Sequence, residues 1–113
     1  MKKIIEAAWE DRSLLKELKT QEVIREIINQ IDLGQLRVAE PSPSGWQVNE
    51  WVKKAVVLYF PIQQMKTIEV GPFEFHDKMP LKKGYAEKGI RVVPHAVARH
   101  GAYISEGVIM MPS

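Results

Sequence analysis

Cysteine is absent from the 113 residues, which excludes disulfides and thiolate metal sites and suits a reducing compartment. Long apolar runs are absent too. No stretch approaches the roughly 18 residues that a membrane span needs, and the acids Glu6, Glu10 and Asp11 come too early for a secretory signal. The expected location is the cytoplasm, with no membrane partner. Charge of one sign is scarce, because 16 Lys and Arg face 14 Asp and Glu for a net +2. The pairs Lys2-Lys3, Lys53-Lys54 and Lys82-Lys83 are separated by acids and read as solvated surface. A nucleic-acid partner is therefore not expected, since such a binder is held by strongly salt-dependent charge contacts. There is no P-loop, dinucleotide glycine fingerprint, nucleophile elbow or metal-binding His-Glu helix. No metal and no bound cofactor are expected, and a self-contained active site is hard to assemble.

What is present is a core for one ordinary domain, with 45% hydrophobic residues. Residues 2–18 read as helical with a break near Ser13. Thr20 is placed as an N-cap of a second helix whose Ile24, Ile27, Ile28 and Ile31 follow i, i+3, i+4, i+7 spacing until Gly34 stops it. Leu36 to Glu40 alternates as a strand, Pro41 to Gly45 reads as a turn, and Trp46 to Val48 as a second short strand. Asn49 then caps a helix with Val52, Ala55, Val56 and Tyr59 on one face, closed by Pro61. Its other face is also apolar, so the helix is expected to be largely buried. Residues 62–83 read as irregular loop with short strand pieces, 82–89 as an exposed connection or short helical turn, and 90–94 as β.

From Ala98 the rhythm changes. Ala98, Ile104 and Met110 recur at six-residue intervals, with Ala102 and Val108 at a second phase. Hexapeptide repeats of this kind build parallel β-helices, in which three repeats make one coil and each coil needs a neighbour to bury its inner face. The tail is expected to be frayed or packed against another molecule.

Candidate chemistry is sparse. His76-Asp77 offers a base beside a carboxylate, but neighbours on a strand point to opposite faces. His95, Arg99 and His100 cluster near the repeat and read as a surface group. Trp9, Trp46 and Trp51 read as core or interface anchors rather than a platform for bases. Arg91 stands out because it sits between Ile90 and Val92-Val93 in a strand-like run. A guanidinium fixed there is suited to two-pronged capture of a carboxylate, the alternative being a salt bridge or a solvated edge residue.

The stretches LRVAE at 36–40, WVKKAV at 51–56, FHDKMPLK at 75–82, GIRVVP at 89–94, GAYI at 101–104 and MPS at 111–113 resemble, in this order, the bacterial tetrahydrodipicolinate N-succinyltransferase family. The resemblance implies an α+β chain. A mostly helical N-terminal domain with short strands, residues 1–88, would lead into a lead-in strand and the first, incomplete coil of a left-handed parallel β-helix, residues 89–113. It also implies a homotrimer with sites between neighbouring β-helices, succinyl-CoA as acyl donor and co-substrate, and tetrahydrodipicolinate as acceptor, in the succinylase branch of diaminopimelate and lysine biosynthesis. By the same resemblance Arg91 is the substrate-binding arginine. The catalytic acids and the coenzyme A coils would lie beyond Ser113, so no catalytic residue is expected in this chain, which should be inactive alone. The rival reading is a non-enzymatic oligomerisation or interaction module derived from the same domain.

Overall fold

The computed structural model describes residues Met1 to Ser113. Three helices supply the core, and three two-stranded β units are attached to it. Helix α1 (Lys2–Glu10) ends because Asp11 turns extended and its Oδ1 accepts bonds from the Ser13 backbone N–H at 3.1 Å and hydroxyl at 2.6 Å. A short 3-10 turn, Arg12–Lys16, follows. The expected break therefore falls at Asp11, with Ser13 as the donor that stabilises it.

Helix α2 (Leu18–Asp32) starts two residues before Thr20. Thr20 is not its N-cap but a buried residue of its first turn, because the extended Glu17 already delivers the chain into the helix. The isoleucine stripe behaves as its spacing demands. Ile24 and Ile27 are fully buried and Ile28 nearly so, alongside Ile5 and Ala8 of α1 and Val52, Ala55, Leu58 and Tyr59 of α3 (Glu50–Ile62). β-branched residues gain little from helix propensity, so this three-helix contact stabilises α2. Val57 and Phe60 of α3 remain 42% exposed. The expectation of a largely buried α3 fails there because α1 and α2 cover only one of its sides. Pro61 lies inside the last turn, and the helix continues to Ile62.

Strands β1 (Ala39–Ser42) and β2 (Gly45–Val48) form a hairpin that pairs Ala39 with Val48 and Ser42 with Gly45. The expected first strand is displaced, since Pro41 and Ser42 belong to β1 and the turn shrinks to Pro43-Ser44. Asn49 joins this hairpin to α3, but not by capping it with its side chain. Its amide donates to Arg37 O at 2.8 Å and to Glu40 Oε2 at 3.3 Å, while its own carbonyl oxygen accepts the Val52 and Lys53 N–H groups.

Residues 62–83 are more regular than expected. β3 (Lys66–Val70) and β4 (Phe73–Asp77) pair antiparallel along their full length, joined by Gly71-Pro72 with Gly71 at φ 58°. The dipeptide that reads as a break is a two-residue hairpin turn. The pairs Ile68–Phe75 and Val70–Phe73 give the hairpin one apolar face.

The last strands, β5 (Arg91–Val92) and β6 (Ile109–Met110), run parallel, with Arg91 opposite Ile109 and Val92 opposite Met110. The offset is 18 residues, three hexads. The pairing closes residues 91–110 into a circuit, and Val92 is half-buried like Ala98, Ile104 and Met110. Ala102 and Val108 are exposed. Backbone bonds from Arg91 N to Val108 O, Val93 N to Met110 O and Val97 N to Ser113 O pin the tail to its own start, although Ile109 and Met111 stay 54% and 64% exposed. No helix is long and apolar enough to cross a membrane.

Gly34 ends α2 at φ 76°, and a Cβ there would stand 2.5 Å from the Tyr103 ring. Gly45 also has positive φ, 119°, but open space around it. Gly34→Ala is expected to lower stability by about 2 kcal/mol and Gly45→Ala by about 1, from left-handed strain with and without the ring contact. Adding Tyr103→Ala to Gly34→Ala should recover part of the difference; urea unfolding of the variants measures this.

Candidate functional site

Two clasps tie residues 82–101 to the rest of the chain, one to helix α2 and one to strand β4, and both are made by charged side chains. The first centres on Asp32 in the last turn of α2, which is 3% exposed. Its Oδ1 accepts the Lys82 ammonium at 2.7 Å and the Gly101 N–H at 2.9 Å, and His100 Nδ1 stands 3.6 Å away. Lys88 Nζ lies 3.5 Å from Oδ2, and Lys82 also donates to the Asp32 backbone carbonyl at 3.1 Å. Lys82 itself is 3% exposed. The expected exposed connection from 82 to 89 is corrected at its first residue, because a partner 50 positions earlier draws that lysine inside. Burial pushes the Asp32 carboxyl up, but the Lys82 bond, the Gly101 N–H and the charges of Lys82 and His100 outweigh it and hold the group below its usual value.

The second clasp joins β4 to the repeat. Arg99 directs Nη2 at 2.6 Å and Nε at 3.2 Å to the same Asp77 oxygen, Oδ2. The Arg99 bond and the Lys78 N–H hold the Asp77 carboxyl below its usual value. His76 points away and shares a 2.9 Å hydrogen bond with Thr67 across the hairpin. His76 and Asp77 therefore have no common task, as alternation on a strand requires. His95 leans on the Phe73 ring with centroids 5.5 Å apart. The surface cluster His95, Arg99 and His100 is thus resolved into three separate contacts with the hairpin and α2.

Arg91 lies on β5 with its side chain exposed. Its backbone N–H is engaged with Val108 O, whereas its guanidinium makes no ion pair or hydrogen bond. No carboxylate stands within ion-pair distance of it. The tryptophans divide. Trp9 and Trp51 pack on the core, with Arg12 4.7 Å and Lys54 5.7 Å from the Trp9 ring centre. Trp46 is 70% exposed, 6.0 Å from the Arg37 guanidinium. No group of three or more His, Cys, Asp or Glu side chains is arranged to hold a metal ion.

Residues 1–62 match a family model described as tetrahydrodipicolinate N-succinyltransferase N-terminal. A 2,3,4,5-tetrahydropyridine-2,6-dicarboxylate N-succinyltransferase of Bordetella petrii is 44% identical over 96% of this chain and 44% of its own length. The chain belongs to the tetrahydrodipicolinate N-succinyltransferase family. Relatives of the same name from Leptothrix cholodnii and Cupriavidus metallidurans are each 43% identical, over 100% and 97% of this chain and 45% and 44% of theirs. The chain therefore spans about 45% of the length of the succinyltransferases it matches. The Leptothrix match covers both clasps and Arg91.

Sequence reasoning singled out Arg91 and passed over Asp32 and Lys82, which the structure joins. A signal for Asp32 exists, since it stands four positions after Ile28 on the buried stripe of α2. None exists for choosing Lys82 over Lys83.

Lys82→Ala is expected to lower stability by about 3–5 kcal/mol, because it leaves a buried carboxylate without its main partner. Lys54→Ala, which breaks the partly exposed 2.8 Å pair with Glu6, should cost less than about 1 kcal/mol. The lowered Asp32 and Asp77 groups contribute stability that is fully present above about pH 3.8 and is lost as pH falls through their lower folded values. Urea midpoints that stay flat between about pH 4 and about pH 2 would contradict this assignment.

Proposed function

We propose that this chain is the N-terminal, substrate-orienting part of an enzyme that transfers succinyl from succinyl-CoA to tetrahydrodipicolinate, in the succinylase branch of diaminopimelate and lysine biosynthesis. The identity of 44% across 96% of the chain to a succinyltransferase of that name carries the reading. In the reaction water adds across the C=N bond of the cyclic acceptor. The amine nitrogen of this hydrated or ring-opened form attacks the thioester carbonyl, an amide bond forms and the carbon–sulfur bond breaks. Coenzyme A leaves as the thiol with the proton given up by nitrogen. Arg91 is the residue assigned to the acceptor. Its unpaired guanidinium on a strand held by backbone bonds supports capture of a carboxylate, which orients the amine for attack.

The domain boundary proposed is 1–88 for the helical part with its hairpins and 89–113 for the first coil of a left-handed β-helix. The 18-residue parallel offset between β5 and β6 supports the coil, because three hexads make one circuit. The working assembly is a cytoplasmic homotrimer. The chain is inactive alone, a reading favoured by the lack of any carboxylate beside Arg91 that could accept the amine proton. The rival, a non-enzymatic oligomerisation module, draws on the exposed Ile109 and Met111 at the end of the circuit.

Purified 113-residue chain, mixed with succinyl-CoA and the dicarboxylate, is expected to release no coenzyme A above background. Steady release would refute the inactive-alone reading. In a succinyltransferase that continues through further coils, Arg91→Ala should lower kcat/KM for the acceptor by about 10- to 100-fold, the range of a charged hydrogen-bond pair, with the melting temperature unchanged. Unaltered kcat/KM would reduce Arg91 to a solvated edge residue.

A further inference from the structure

A cleft of about 690 Å³ opens where the middle of α2, the last turn of α3 and the β3–β4 hairpin meet. Four cations line it, Arg25, Lys66, Lys78 and Lys83, against one carboxylate, Asp77. The lining thus carries +3 while the whole chain carries +2, so the rest of the molecule is at −1. The positive charge that looks dilute along the sequence is gathered in this one concavity.

None of the four cations has a carboxylate partner, and Asp77 is engaged by Arg99. Arg25 and Lys78 are held in place by neutral acceptors. Arg25 donates to Gln63 Oε1 and to Ile62 O, both at 3.2 Å, and Lys78 donates to Phe60 O at 3.3 Å. These bonds fix the cations at the C-terminal end of α3 without neutralising them. Lys66 and Lys83 donate to no protein group, and both are exposed. Ile62, Ile68, Met79 and Leu81 add an apolar wall. Like charges gathered in a concavity repel one another and focus a positive potential inside it. An arrangement with two fixed cations, two free lysines and an apolar wall is complementary to an anion with an organic body.

We propose that this cleft binds a small organic polyanion bearing phosphate or carboxylate groups. The site is separate from Arg91, which is not among its walls. Its occupant need take no part in acyl transfer.

The test is calorimetric titration of the 113-residue chain at about 150 mM salt, where exposed charge contacts are screened within about 8 Å. Pyrophosphate serves as the phosphate probe and citrate as the carboxylate probe. Saturable one-to-one binding is expected in at least one arm. The pair Lys66→Ala and Lys83→Ala should weaken it about tenfold, with the far-ultraviolet circular dichroism unchanged, while Lys66→Arg with Lys83→Arg stays within about threefold. Binding of pyrophosphate alone assigns the site to phosphates, of citrate alone to carboxylates, and of both to charge as such. No saturable heat in either arm, or equal affinity in the parent and the alanine variant, overturns the proposal.

Discussion

The structure depends on one buried carboxylate. Asp32 closes α2 with a negative charge at a helix C-terminus, where the helix dipole opposes it, and it is 3% exposed. Such a group is tolerable only if donors replace the water it has lost. Lys82, Gly101, Lys88 and His100 converge on it from two later segments. The lowered proton affinity of Asp32 indicates that these donors outweigh its desolvation. A buried ion pair need not exceed a hydrophobic replacement in stability. What this one supplies is direction, because only one placement of residues 82–101 satisfies all the donors together.

Everything after the hairpin inherits that placement. Gly101 is fixed on the end of α2, Tyr103 lies over Gly34, and Arg99 is bound to Asp77 on β4. The 18-residue circuit from β5 to β6 is thereby held at several points along its perimeter, and backbone bonds between its two ends close it. Arg91, at the start of that circuit, has its backbone fixed and its side chain free. An immobile Cα would reduce the ordering entropy lost by such a guanidinium on meeting an anion.

The sequence revealed what local periodicity encodes. The α2 stripe, the Gly34 stop and the strand at Arg91 are all near-neighbour patterns, and each appears in the structure. The misplaced features are those decided by distant partners. Lys82-Lys83 reads as a solvated pair, and only the position of Asp32 determines that Lys82 turns inward and Lys83 outward. Helix α3 is apolar on two sides, so its pattern cannot show that α1 and α2 leave Val57 and Phe60 uncovered. Gly71-Pro72 carries the same composition as a chain break and as a tight turn. The cross-strand pairs on either side, not the dipeptide, decide between them. The pairing of Val92 with Met110 was hidden because Pro94 and His95 interrupt the six-residue spacing.

The clasp also decides how the segment from β5 to β6 sits on the helices. β6 offers backbone groups on its outer edge and the exposed Ile109 and Met111 beside it, and an unpaired edge of this kind pairs readily in a wrong register. A circuit attached only by apolar contacts would be free to slide, because such contacts are non-directional. Attachment through a buried carboxylate is directional, since a one-residue shift would leave Asp32 or Lys82 unpaired in a dry site at a cost of several kcal/mol. The buried charge is therefore best understood as the element that sets how residues 82–110 sit on α2, with the isoleucine core supplying most of the stability on which it rests.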